Sequence, residues 1–307
     1  MKLGLSINSC LQRVWRLLLF ILSFAYGVQA QDSEDLISLN LFSEAKSVKV
    51  GDSIWLGIEV EVEEGWHVYW KTSGDTGLPT EIDWTLPEGV QVQPTLYPVP
   101  YFYEYQGSPS YAYKESFILV SRLTLDSEVG VADGNISLMA DFSALVCNES
   151  NCLPYNKELR ISLPVGAKTE LVPLASKKIL SSSIHRPVTP PLSSKISGLA
   201  RGNSIGLEFQ APTLKELEPA DFSFFAQGDF FDHSFRPSFE RTDKGDLLAT
   251  LRKSETAEGI VGKIEGVLSH PGLERAWSVG LQVEQVSFGE MSETLKVSEL
   301  DVSGNVA

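Results

Sequence analysis

The stretch Ser53-Ile54-Trp55-Leu56-Gly57-Ile58-Glu59-Val60-Glu61-Val62 alternates apolar and polar side chains along most of its length. Successive side chains of a β-strand point to opposite faces of a sheet, so this period of two predicts a strand with one buried face. The same pattern recurs at 116–120, 135–140 and 158–163, and Gly-containing turn signals separate the runs. We therefore expect the region from Leu36 to Leu163 to form an immunoglobulin-like antiparallel β-sandwich.

Strand-like runs resume in the second half of the sequence, after a helical segment and a proline-rich segment. Lys168–Leu180 has helical character, with Pro173 expected in its first turn or at a kink. Residues 181–194, which contain three prolines, are typical of a linker. The later runs that predict strands are 205–209, 247–251, 259–264 and 277–283. We expect these strands to form a second β-sandwich, which contains no cysteine.

The sequence therefore predicts an all-β protein of two immunoglobulin-like antiparallel β-sandwich domains, with one short helix and a linker between them. The predicted boundaries are 31–166 for the first domain, 167–194 for the helix and linker, and 195–307 for the second domain. The polar tail from Ser287 is compatible with a last strand or with a frayed end.

Residues 1–30 carry the pattern of an export signal. Three basic residues precede the apolar run Leu17–Ala25, and Val28-Gln29-Ala30 offers small residues at the cleavage positions. The apolar run is shorter than the roughly 20 residues of a membrane-spanning helix. We expect cleavage near Ala30 and an exported protein, with an uncleaved N-terminal anchor as the alternative.

The net charge of the chain is −15. A strongly acidic surface repels the phosphates of nucleic acids and the headgroups of anionic lipids. We therefore expect no nucleic-acid partner.

The stretch Ala144–Pro154 contains Cys147 and Cys152, the two cysteines outside the predicted signal, with four residues between them. A disulfide across so short a loop contributes only roughly 2 kcal/mol of stability. The surrounding turn-like residues predict exposure, which opens a disulfide to attack by other thiols. The residues alone leave both a structural disulfide and a redox centre open. A metal-binding pair would need further ligands, and the sequence has only four histidines.

Two stretches are dense in aromatic residues. In Gly65–Thr80, the tryptophans are expected in the core, and His67 is either a functional base or a packed side chain. Residues 101–113 contain six aromatic rings, and the prolines and glycine around them predict an irregular loop. Such a loop either fills a hydrophobic gap or meets a partner. Folded over a reactive disulfide, it would shield the disulfide until a partner displaced the loop.

Together, these stretches resemble the periplasmic N-terminal domain of the thiol:disulfide interchange protein DsbD, and more closely the ScsB-like proteins. The resemblance covers residues 36–165 well and the second β domain weakly. The matching residues are Gly65-Trp66-His67, Tyr69-Trp70, Gly74-Asp75, Gly77, Pro79-Thr80, Tyr111-Ala112-Tyr113, Cys147, Cys152 and Leu153-Pro154.

The resemblance implies a periplasmic module that relays reducing equivalents through Cys147 and Cys152 and needs no bound cofactor and no metal. By position, Cys152 would be the attacking thiolate and Cys147 its resolving partner. The implied partners are a membrane-embedded or thioredoxin-like exchange protein and periplasmic client proteins that carry disulfides. The residues implied for the cap over the cysteines are Tyr101, Phe102, Tyr103 and Tyr105. The residues implied in support of the site are His67, Tyr69, Asp75, Tyr111 and Tyr113.

The sequence departs from the DsbD pattern in two respects. It shows neither a membrane-embedded section nor a thioredoxin-type cysteine motif, so its electrons would have to come from a partner protein. The gap of four residues between the cysteines also differs from the five of the founding family member. Two alternatives stay open: a non-catalytic envelope binding or assembly module with a structural disulfide, and a copper-tolerance protein.

Overall fold

The computed structural model describes residues 36–283, apart from 128, 130–132, 202, 256 and 258–261. The export signal expected over residues 1–30 and the tail from Ser287 lie outside this range. Within the described residues, antiparallel strands make up most of the secondary structure and there is one short α-helix. This confirms the all-β class. The described part of the chain contains no helix with the length and apolar character needed to cross a bilayer.

The first half of the described chain consists of twelve strands that precede the helix. In chain order they are β1 (Ile37–Ser43), β2 (Ala45–Ser47), β3 (Ser53–Val62), β4 (His67–Gly74), β5 (Glu81–Thr85), β6 (Val90–Val92), β7 (Tyr101–Tyr105), β8 (Ser108–Tyr113), β9 (Phe117–Leu125), β10 (Asn135–Cys147), β11 (Cys152–Pro164) and β12 (Glu170–Leu171).

These strands form two main sheets. One has the spatial order β1-β3-β9-β6, and the other has the order β11-β10-β4-β8-β7. Strand β5 also belongs to the second sheet, where it pairs with the middle of β10, and β12 pairs with β2. Non-consecutive strands are therefore neighbours in both sheets, as expected of an immunoglobulin-like sandwich rather than a simple meander.

The predicted alternation appears directly in the burial of β10. The residues between the buried positions are partly or fully exposed, and the buried positions are Ile136, Leu138, Ala140, Phe142, Ala144 and Val146. The buried residues share apolar clusters with residues of the β1-β3-β9-β6 sheet. Burial of one face of each strand stabilises the sandwich by roughly 25 cal/mol per Å² of apolar surface removed from water.

The helix α1 (Pro173–Ser182) begins later than the expected Lys168. Val172 has extended backbone, and Pro173 occupies the first turn, where its missing N–H costs no hydrogen bond. The residues expected as the start of the helix instead contain β12, which pairs with β2. The linker that follows is also ordered: the N–H of Val188 donates to the carbonyl of Ala276 at 2.8 Å.

The second half of the described chain forms two further sheets, with the spatial orders β13-β14-β17-β16 and β15-β18-β19. Their buried side chains share one apolar cluster that includes Phe209, Phe224 and Trp277. The strands are β13 (Lys195–Arg201), β14 (Ser204–Gln210), β15 (Ser223–Gln227), β16 (Ser238–Arg241), β17 (Leu247–Arg252), β18 (Gly262–Ser269) and β19 (Trp277–Val283), with 3₁₀ turns at Ser183–His185, Pro212–Leu214 and Pro219–Asp221.

The two halves of the described chain share apolar packing. Phe225, Val267 and Ala276 belong to the same buried cluster as Trp70 and Tyr111 of the first half. The described residues accordingly belong to one compact unit. The domain boundaries at residues 166 and 195 stay a prediction.

Candidate functional site

A disulfide joins Cys147 and Cys152 at the tip of the β10–β11 hairpin. The two residues face each other in the strand register, at the end of a ladder that runs from Asn135↔Pro164 to Cys147↔Cys152. Their Cα atoms are 4.1 Å apart. The backbone ladder therefore brings the two cysteines together independently of the covalent bond.

Asn148 shapes the short loop between the cysteines. Its Oδ1 accepts hydrogen bonds from the N–H groups of Ser150 and Asn151, both at 2.8 Å. Its own N–H donates to the carbonyl of Asn151 at 2.9 Å. Asparagine is favoured in such turns because its side chain can satisfy the backbone two residues further on. The loop residues thus give the hairpin tip a defined shape.

The two cysteines differ in exposure. Cys147 is 1% exposed and belongs to the core, whereas Cys152 is exposed. Thiol–disulfide exchange requires a thiolate to approach one sulfur of the bond, so access decides which sulfur is attacked. The Cys152 side of the bond is therefore the more accessible side for a thiolate from another protein.

His67 is the partner of Cys147 on the adjacent strand. Strand β4 pairs with the end of β10 in the register Cys147↔His67. His67 is 3% exposed, and its Nε2 has no hydrogen-bond partner among the described residues. Burial lowers the pKa of His67 to about 4, because a buried imidazolium loses its hydration. The ring is therefore neutral near pH 7.

The aromatic stretch predicted as an irregular loop is a regular β-hairpin, so that expectation was wrong. β7 and β8 are joined by Gln106 and Gly107, with φ of 51° and 86°. Two successive residues with positive φ are typical of a type I′ turn, whose twist matches that of paired strands. Pro109 is accommodated at a position where β8 pairs with β7 and not with β4.

The hairpin places Tyr103 over His67, with ring centroids 3.9 Å apart. Burial raises the pKa of the Tyr103 hydroxyl, and the carboxylate of Glu149 in the cysteine loop raises it further. Tyr101, which neighbours Tyr103, is half-buried, and burial raises the pKa of Tyr101 to about 12. Tyr105 at the hairpin end is 43% exposed. Tyr101, Tyr103 and Tyr105 thus define the inner face of β7, which lies beside the cysteine loop.

Phe102 points to the opposite face of β7. Its ring stacks on Phe225 of β15 at 4.8 Å and contacts Tyr111 edge-on at 5.4 Å. Of the four predicted cap residues, Phe102 is therefore the one that faces the second half of the chain. The alternation along a strand accounts for this division, since neighbouring side chains point to opposite faces.

The remaining supporting residues have separate positions. Tyr69 presents its ring edge-on to His67 at 5.2 Å, and Asp75 is exposed in the loop after β4, where its N–H donates to the carbonyl of Pro109. The hydroxyl of Tyr113 donates to the carbonyl of Pro98 at 2.6 Å. The structure thus brings Cys147, Cys152, His67, Tyr69 and Tyr103 together, whereas Tyr111 and Tyr113 anchor the hairpin.

Sequence reasoning missed several residues around the hairpin. Glu149 was visible inside the cysteine loop but was not assigned to the site. Phe225, His233 and Arg236 contact the hairpin from more than a hundred residues away in sequence. No local pattern around these three residues indicates such long-range contacts. Over the described ranges, no three His, Cys, Asp or Glu side chains converge as a metal site.

Known proteins show the following similarities. Residues 40–164 match the family described as thiol:disulfide interchange protein DsbD, N-terminal. No curated protein matches the chain. The N-terminal periplasmic domain of ScsB from Proteus mirabilis has a TM-score of 0.60 and 17% identity, with 83% of this chain and 96% of that chain covered.

Two other solved structures have much lower scores. The Escherichia coli adhesin FdeC has a TM-score of 0.21 and 15% identity, over 81% of this chain and 65% of that chain. The E. coli chaperone DraB has a TM-score of 0.24 and 8% identity, over 79% of this chain and 98% of that chain. TM-scores this low carry no weight. Residues 40–164 match the immunoglobulin-like DsbD N-terminal family, and the chain shares its fold with the periplasmic domain of ScsB.

Proposed function

We propose that this protein is a thiol:disulfide interchange module that relays reducing equivalents between partner proteins through Cys147 and Cys152. The observation that carries the proposal is the asymmetric disulfide: an exposed Cys152 is bonded to a buried Cys147 beside a ring-lined hairpin. The match of residues 40–164 to the DsbD N-terminal family supports the same chemistry.

In the reductive half of the cycle, a thiolate of the electron donor attacks the Cys152 sulfur. The Cys147–Cys152 bond breaks, and Cys147 leaves with the electron pair as a thiolate. A second thiolate of the donor then attacks the donor's sulfur in the mixed disulfide and releases Cys152. Two electrons have then passed to this protein, and the donor holds the disulfide.

In the oxidative half, the Cys152 thiolate attacks a client disulfide and forms a mixed disulfide with one client sulfur. The other client sulfur leaves as a thiolate. Cys147 then attacks Cys152, which restores the intramolecular bond and releases the reduced client. Cys147 can perform this step because the strand register keeps it opposite Cys152.

A purely structural role for the disulfide has less support. The thirteen-residue strands β10 and β11 are paired along their whole length by backbone hydrogen bonds. This pairing already holds the ends of the cysteine loop together, so the disulfide adds little to it. A crosslink across so few residues removes little entropy from the unfolded chain. A redox titration separates the roles, since structural disulfides of exported proteins have potentials below about −300 mV.

We also propose the cellular setting. The predicted signal and the periplasmic origin of the matched ScsB domain support a periplasmic location. The electron donor would be a membrane-embedded or thioredoxin-like exchange protein, and the clients would be periplasmic proteins with disulfides. The domain boundaries at 166 and 195 would then separate the cysteine-bearing sandwich from the second one.

Single-cysteine variants test the proposed roles. Cys147→Ser leaves the exposed Cys152 as a free thiol, whose thiolate can attack the disulfide of an oxidised client or of an oxidised thioredoxin-like protein. One sulfur of that disulfide leaves as a thiolate, and the mixed disulfide should accumulate because Cys147 is absent and cannot resolve it; non-reducing electrophoresis detects it. Cys152→Ser leaves only the buried Cys147 and should trap almost none. Equal trapping by the two variants, or wild-type exchange by Cys152→Ser, would contradict the proposal.

A further inference from the structure

The outer face of β7 packs into the second half of the chain. Phe102 stacks on Phe225 with centroids 4.8 Å apart and an interplanar angle of 29°. Tyr111 of β8 meets the same ring edge-on at 5.3 Å, and Trp70 of β4 does so at 6.4 Å. Phe225 is only 2% exposed. One phenylalanine of the second half thus contacts three neighbouring strands of the cysteine-bearing sheet.

Polar contacts surround this aromatic contact. The Arg236 guanidinium lies 4.6 Å from the centroid of Phe102, and its Nη2 is 3.0 Å from Oε2 of Glu104. The Tyr111 hydroxyl is 3.3 Å from Nδ1 of His233. Arg236 and Glu104 are about half exposed, so their ion pair contributes little, and the ring packing is the stronger contact.

Strand β7 has few other attachments. It is five residues long, lies at the edge of its sheet, and pairs with β8 alone among the described strands. A two-stranded hairpin is marginally stable in water unless another element packs against it. A cavity of about 320 Å³, lined in part by Phe102, Phe222 and Arg236, lies beside the contact and leaves space there. The position of β7 therefore depends on Phe225.

We propose that Phe225, assisted by Arg236, is a positioning residue for thiol–disulfide exchange. It acts by fixing the outer face of β7, so that Tyr103 on the inner face stays over His67 beside the disulfide. This inference rests on the proposed function, because it assigns the second half of the chain a part in controlling access to Cys152. Phe225 itself contacts neither cysteine in the strand pairing.

The test is the second-order rate constant for reduction of the folded protein's disulfide by dithiothreitol, followed by maleimide labelling of the released thiols. Phe225→Ala should raise this rate constant about tenfold, because loss of the aromatic contacts frees β7. Phe225→Leu should lie between Phe225→Ala and the wild type. The reduction potential should stay unchanged in both variants, since the paired ends of β10 and β11 are untouched.

Phe224→Ala is the matched control. Phe224 is the neighbouring residue on β15, is fully buried, and packs in the core of the second half instead of against the hairpin. Its replacement should weaken the second half and leave the reduction rate equal to that of the wild type. Arg236→Gln, a half-exposed position, keeps the test available if Phe225→Ala does not fold, and should raise the rate about twofold.

The outcomes separate this inference from the proposed function. A readily reduced wild type with an unchanged rate in Phe225→Ala and Arg236→Gln would overturn the inference alone. Equal acceleration in Phe224→Ala and Phe225→Ala would also overturn it, because general loosening would then explain the effect. A wild-type disulfide that is reduced only at the rate of global unfolding would overturn the proposed function itself.

Discussion

Acidification from pH 7.5 to pH 4.5 is expected to destabilise the folded protein through His67. The imidazole is 3% exposed, and burial lowers its pKa to about 4. In the unfolded chain the pKa is about 6.5. Above about pH 7.5 the ring is almost entirely neutral in both states, so His67 causes little pH dependence there. Between pH 6.5 and pH 4 the His67 side chain binds a proton in the unfolded state but stays neutral in the folded state. The free energy of unfolding therefore falls as the pH falls through this range.

The two pKa values give the size of the effect. The free energy of unfolding should fall by about 1.4 kcal/mol at pH 5.5 and by about 2.5 kcal/mol at pH 4.5, relative to pH 7.5. Carboxylates add their own pH dependence: Lys46 and Lys168, for example, lower the pKa of Glu170 to about 2, so Glu170 contributes mainly below pH 4.5. The quantity to measure is therefore the difference between the wild type and a variant without the imidazole.

Urea denaturation of oxidised wild type and of His67→Phe at the three pH values provides this measurement. Phenylalanine keeps an aromatic ring over Tyr103 and cannot be protonated. The stability difference between the two proteins should shift in favour of the variant by about 2.5 kcal/mol as the pH falls to 4.5. Parallel pH profiles for the two proteins would refute the reasoning, because His67 would then titrate alike in the folded and unfolded states.

Three further predictions concern the surroundings of the site. Gly77→Ala should destabilise the protein by at least about 1 kcal/mol more than Gly65→Ala, as measured by urea denaturation. Both glycines have positive φ, but a Cβ on Gly77 would overlap the Tyr69 ring, whereas a Cβ on Gly65 would meet nothing within 4 Å. Thr80→Val should cost about 1–3 kcal/mol, because the buried Thr80 hydroxyl donates to the Tyr69 carbonyl at 2.6 Å; an unchanged melting temperature would contradict this. Phe142→Ala should cost about 3–5 kcal/mol by leaving a cavity between the sheets, since Phe142 is 1% exposed; a loss below 1 kcal/mol would show that the site is loosely packed.

The sequence predicted the strands well because alternate side chains of a strand point to opposite faces of the sheet. Burial of one face therefore requires the alternation of apolar and polar residues that the sequence shows. Ser53–Val62 is a strand with the bounds that the alternation indicated, and β10 has one buried face along most of its length. The helix boundary was less predictable. Lys168–Leu171 has acceptable helix formers, but a long-range pairing of β12 with β2 outweighs local propensity there.

The candidate site was only partly predictable. The turn residues between the cysteines indicated an exposed loop, and Cys152 is exposed there. Cys147 is instead buried, because it ends a strand whose inward face lies in the core. The loop expected at residues 101–113 is instead a paired hairpin, because Gln106 and Gly107 both adopt positive φ. The contact of Phe102 with Phe225 spans more than a hundred residues of sequence, and no local pattern encodes it.

The continuous backbone pairing between β10 and β11 affects how quickly the protein can change between its dithiol and disulfide forms. Its thirteen facing pairs end at the sulfur atoms, so cleaving the S–S bond leaves the flanking backbone in place. The dithiol and the crosslinked species would then have nearly the same scaffold, and little conformational entropy would be lost or regained at each cycle. In the proposed exchange cycle, the protein would therefore be ready to react again as soon as the previous partner dissociates.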